Sequence, residues 1–184
     1  MVWTLNKMTI DSLVFKNIFE INGLQQMNFR VLTKSKKIYL YKSMCYKKPV
    51  NRGFILFKVQ EWWETQKSKY ELVVSEFVIA EAALGHPEAA ERRLAAIEGV
   101  MELQATEAVR ALGQALISRN ALPEKAEIDA FHVAIAAVNG IEYLLTWNCT
   151  HIANAVTRPK IEATCRALGF EPPIICTPDE LMET

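Results

Sequence analysis

From about residue 55 to its end the chain alternates two hydrophobic rhythms, a helical period and short unbroken apolar runs, which predict a parallel sheet flanked by helices. The segment 127–154, EIDAFHVAIAAVNGIEYLLTWNCTHIAN, shows both most clearly. Phe131, Ile135 and Val138 recur at helical spacing among alanines, and Asn139-Gly140 stops the helix. Tyr143 to Trp147 then reads as a short strand buried on both faces, so helix and strand form half of a βαβ unit. Upstream, Phe54 to Tyr70 reads as an amphipathic helix and Leu72 to Ser75 as a strand. Ser75 suits the cap of the following helix, and Glu76 its positive end. That helix carries Glu81 and stops near Gly85-His86-Pro87. A helix over Glu88 to Ile97 follows, with Arg92 and Arg93 expected to be exposed, then a strand over Val100 to Leu103. Thr106 to Asn120 reads as a helix broken by Leu122-Pro123 and Arg158 to Leu168 as one ended by Gly169; Ile174 to Cys176 is a last strand before the capping sequence Thr177-Pro178-Asp179-Glu180.

With 184 residues, 51% of them apolar and 23% charged, the chain suits one soluble domain with a real core, and two large domains are not expected. Cys45, Cys149, Cys165 and Cys176 have neither CxxC spacing nor a dense pattern, which argues against a zinc knuckle or disulfide framework and for a reducing cytoplasm. The apolar runs are short or broken by charge, so neither a signal peptide nor a membrane span is expected.

A formal net charge of zero conceals a division: residues 1–60 carry 11 Lys and Arg against 2 acids, and residues 61–184 carry 10 against 19. One reading is a basic arm attracted to phosphate backbone. A second lays the basic segment across the acidic body. A third takes residues up to about 58 as a reading of the gene out of frame or from a displaced start. The domain expectation follows: 1–35 is an atypical basic extension outside the fold, and 36–184 is the domain, best supported from 61 onward.

Candidate chemistry lies with Glu81, Asp129, Asn148 and the neighbouring Thr146 and His151. Right-handed crossovers gather strand C-termini and the following helix starts along one edge of a parallel sheet. Carboxylates brought together there repel one another unless a cation such as Mg²⁺ or Mn²⁺ neutralises them. Such an ion activates water and stabilises an in-line phosphoryl transition state, so phosphodiester hydrolysis is the reaction class suggested. No GxGxxG or GxxxxGK[ST] supports a nucleotide-binding alternative.

The two stretches ELVVSEFVIAEAALG and AEIDAFHVAIAAVNGIEYLLTWNCTHIAN, within residues 71–154, resemble the PIN domain, and in detail the nucleases of the VapC toxin type. They share the order D-x-x-H-x-A-x-A, Gly, apolar strand, then T-W-N/D. The resemblance implies a doubly wound α/β fold, a divalent-metal endoribonuclease acting on RNA, Mg²⁺ or Mn²⁺ as cofactor, and, for toxins, a cognate antitoxin protein; a homodimer is a further expectation. Matched residue by residue, Glu81 is the second acid and Asp129 the third, the two metal ligands, and Asn148 stands where many members have a fourth acid. Asn148 would serve as a neutral ligand or a water-positioning amide.

The first acid of that pattern ends the first strand, but in KKIYLYKS, residues 36–43, Tyr41 takes its place and cannot replace a carboxylate on a hard metal. Asp11 in TIDSLVF mimics the local pattern but lies 70 positions before Glu81. The alternative function is therefore a catalytically impaired module that binds RNA or a protein partner without cleavage. Each candidate also has a plainer role: Glu81 as a solvated helix acid, Asp129 as a favourable first-turn acid, and His132 as a core hydrogen-bonding group. For His151 and Asn154 the choice is between orienting RNA and stabilising a loop, and for Trp62-Trp63 between base stacking and core or dimer contact.

Overall fold

A computed structural model of the chain describes residues 36–40 and 61–182. Five strands form one parallel sheet: β1 (Lys36–Leu40), β2 (Tyr70–Ser75), β3 (Met101–Leu103), β4 (Tyr143–Leu145) and β5 (Ile174–Cys176), in the order β3-β2-β1-β4-β5. The helical elements are α1 (residues 61–65), α2 (Glu76–Ala82), α3 (Pro87–Ala96), α4 (Glu107–Ser118), α5 (Glu127–Val138) and α6 (Arg158–Ala167). The order reverses between β1 and β4, and at such a switch point open α/β sheets leave a crevice beyond the strand C-termini. The class expected from the alternating pattern, an α/β parallel sheet flanked by helices, is the one observed.

Strand alternation divides the core. Tyr39, Leu144 and Ile175 pack with α4, α5 and α6 on one face, whereas Ile38, Leu145 and Cys176 join Trp62 and Tyr70 on the other. Trp62 is a core residue, only 1% exposed; Trp63 is half-buried, with the Lys67 ammonium 4.4 Å from its ring centre. α5 is apolar nearly all round, and Ala130 and Val133 to Ala136 have no exposure, as befits a helix clasped between sheet and α4. Its packing against α4 is close at Gly113, where even an added Cβ would lie 2.7 Å from the Phe131 ring.

Several boundaries differ from the sequence reading for local reasons. The long helix over 54–70 is helical at 61–65, but its last turn is a 3₁₀ segment at Lys67–Lys69 and Tyr70 already belongs to β2; residues 54–60 lie outside the described residues. β4 ends at Leu145, because the Asn148 N–H turns back to Thr146 Oγ1 at 3.0 Å. Arg93 is not exposed: it is 3% accessible, its Nε–H donates to Ala82 O at 2.8 Å, and its guanidinium also bonds Leu84 O. It thereby satisfies carbonyls at the α2 C-terminus that have no partner within the helix, while Arg92 is half-buried. Ser75 caps α2 as expected, accepting from the Val78 N–H. Thr177 and Glu180 bond each other reciprocally, through Thr177 N–H to Glu180 Oε2 at 2.8 Å and Glu180 N–H to Thr177 Oγ1 at 3.3 Å. The 1–35 extension, Asp11 and Tyr41 all lie outside the described residues.

Among the described residues no helix is long and apolar enough to cross a membrane.

Candidate active site

Asp129 occupies the first turn of α5, and because α5 leads directly into β4 its N-terminus stands at the C-terminal edge of the sheet. Asn148 and His151 come to the same place from the loop that leaves β4. Asn148 Nδ2–H donates to Asp129 Oδ2 at 2.7 Å, and His151 Nδ1 lies 2.7 Å from the same oxygen. The His151 backbone N–H donates in turn to Asn148 Oδ1 at 3.1 Å, which fixes the amide orientation. The loop is tied further by Thr157 Oγ1 donating to His151 O and by Asn154 Nδ2 donating to Cys149 O at 3.3 Å. Asp129 and Asn148 are buried, at 7% and 2% exposure. Burying a carboxylate at that depth is costly unless donors surround it, and here an amide and an imidazole supply them.

A second polar chain runs from the sheet centre to Glu81. Tyr39 Oη shares hydrogen bonds with Ser75 Oγ at 2.5 Å and with His132 Nδ1 at 2.7 Å, all three side chains being wholly buried. His132 Nε2 lies 3.8 Å from Glu81 Oε2, beyond hydrogen-bond length. Burial lowers the His132 pKa and outweighs the nearby Glu81 and Asp129 charges, so the ring is neutral. Burial likewise raises the Tyr39 pKa, against the opposing Ser75 hydrogen bond, so its phenol remains a proton donor. His132 thus hydrogen-bonds within the core, and both Asp129 and Glu81 act electrostatically on its ring.

Glu81 Oε2 is buried and accepts no hydrogen bond among the described residues, an orphaned hard oxygen of the kind a divalent cation takes. The Asp129 donors both fall on Oδ2, an arrangement that holds a ligating carboxylate by outer hydrogen bonds. Two such carboxylates, completed by water and substrate phosphate, fit Mg²⁺ or Mn²⁺. Among the described residues there is no group of three His, Cys, Asp or Glu able to hold a metal by themselves.

The structure therefore joins Asp129, Asn148 and His151 directly, links Glu81 to them by way of His132, and keeps Asn154 as a loop tie. Thr146 sits beneath the cluster as the acceptor for the Asn148 N–H. Tyr39 is the residue sequence reasoning missed: in KKIYLYKS attention falls on Tyr41, and no local signal marks Tyr39 as the partner of a histidine 93 positions away. Strand alternation alone, which aims Tyr39 at the α5 face, would have suggested it.

No family model matches the chain, and neither the curated proteins nor the solved structures contain a match.

Proposed function

We propose that this chain is a PIN-like domain of the metal-dependent endoribonuclease type, of toxin–antitoxin character, acting on RNA at the edge between β1 and β4. The observation that carries the reading is the buried Asp129 carboxylate, gripped by Asn148 and His151 at the switch point of a parallel sheet. Glu81 and Asp129 would hold Mg²⁺ or Mn²⁺, which supplies the charge that activates water and stabilises the phosphoryl transition state. Asn148 keeps the Asp129 carboxylate in one orientation. The Thr146 turn keeps Asn148 in place, so the geometry exists before substrate arrives. His132, held by Tyr39, presents a fixed imidazole edge to Glu81. A cytoplasmic location, a cognate antitoxin and self-association belong to the same proposal.

A second reading, an impaired module that binds RNA or a protein without cutting, is favoured by Tyr41 at the position of the first acid and by the absence of a third metal ligand among the described residues. One experiment separates the two. Purified chain with Mn²⁺ is expected to cleave a mixed RNA pool, EDTA to stop it, and Asp129→Asn to reduce the rate at least about a hundredfold, as loss of a charge-bearing catalytic group does. RNA binding with no cleavage at any Mn²⁺ concentration would establish the second reading instead.

A further inference from the structure

We infer that His151 is a specificity-determining residue that reads the ribose 2′-hydroxyl, and so sets a preference for RNA over DNA at this edge. The inference deepens the proposed function and rests on RNA being the ligand. Its basis is hydrogen-bond polarity. Asp129 Oδ2, as a carboxylate oxygen, offers only lone pairs, so His151 Nδ1 at 2.7 Å must carry the hydrogen. In the neutral ring that leaves Nε2 as an acceptor, and the tautomer is chosen by a buried, oriented partner rather than by solvent. The partner is itself held: Asn148 Nδ2 donates to the same oxygen while Asn148 Oδ1 accepts from the His151 backbone, so ring and carboxylate cannot turn independently.

Nε2 makes no hydrogen bond among the described residues, and 18% of the His151 side chain remains accessible. An acceptor fixed beside a candidate phosphodiester site selects a ligand that brings an O–H. Of the groups along a nucleic-acid backbone, the ribose 2′-hydroxyl is the donor that RNA has and DNA lacks. A backbone phosphate brings no hydrogen and would gain nothing from this nitrogen.

The experiment measures binding in EDTA by fluorescence anisotropy, using one single-stranded sequence made as RNA, 2′-amino RNA, 2′-fluoro RNA and 2′-O-methyl RNA. The first two carry a donor at the 2′ position and the last two do not. Wild-type protein is expected to bind the donor-bearing pair about tenfold more tightly, the effect of one well-placed hydrogen bond. His151→Phe should erase that difference and leave the 2′-fluoro affinity where it was. Equal affinity of wild type for RNA and 2′-fluoro RNA, or a difference that survives in His151→Phe, overturns the inference while RNA binding itself stands. Failure to bind any of the four removes the RNA reading and this inference with it. The wild-type panel decides the matter even if the variant does not fold.

Discussion

Tyr39 has the most connected hydroxyl in the molecule's centre, and its removal leaves two buried groups facing a void. In Tyr39→Phe, Ser75 Oγ and His132 Nδ1 each lose a buried partner, with no water path to replace it. The expected cost is about 1–3 kcal/mol of unfolding free energy, measured by urea denaturation; an unchanged midpoint would mean the chain of hydroxyls and imidazole contributes nothing. At this scale the sequence was partly legible. Asp129 and Asn148 stood out because a motif places them at a helix start and a strand end. His151 was an open choice because loop geometry decides whether an imidazole reaches a carboxylate 22 positions back. Arg93 was misjudged because its exposure depends on how α3 folds back on α2, which the helical period of α3 does not encode.

Among elements, the contact of α4 with α5 is the one a single methyl group should disturb. A Cβ at position 113 would lie 2.7 and 2.9 Å from two atoms of the Phe131 ring, and Phe131 is stacked on Phe77 with ring centres 5.5 Å apart. Gly113→Ala is therefore expected to destabilise by about 1–3 kcal/mol, despite the better helix propensity of alanine, and thermal melting would show it. A rise in melting temperature would mean that the ring yields without cost. The elements themselves were legible from α2 to β5 to within a residue or two, since helical periods and short apolar runs are local. The long helix expected over 54–70 was not, because Tyr70 is claimed by strand pairing with Lys36, a partner far away in sequence.

For the whole molecule, the two faces of the sheet are unequal in what covers them. One carries three packed helices; the other depends heavily on Trp62, which closes over Ile38, Tyr70, Leu145 and Cys176. Trp62→Ala should cost about 3–5 kcal/mol, a large share of the stability of an ordinary domain, and is best followed by urea denaturation. An unperturbed midpoint would show that this face needs no such cover. Parallel-sheet architecture was legible from the alternation of elements, but strand order was not, because the place of β1 between β2 and β4 is set by long-range pairing that leaves no local mark.

The buried Arg93 has a mechanical consequence for all of this. Its bonds to Ala82 O and Leu84 O rivet α3 to the last turn of α2, the turn that carries Glu81. The short connection at 83–86 thus behaves as a welded joint rather than a hinge, and Glu81 stands on a bracket that can swing from the sheet edge only by shearing charge-assisted bonds to backbone.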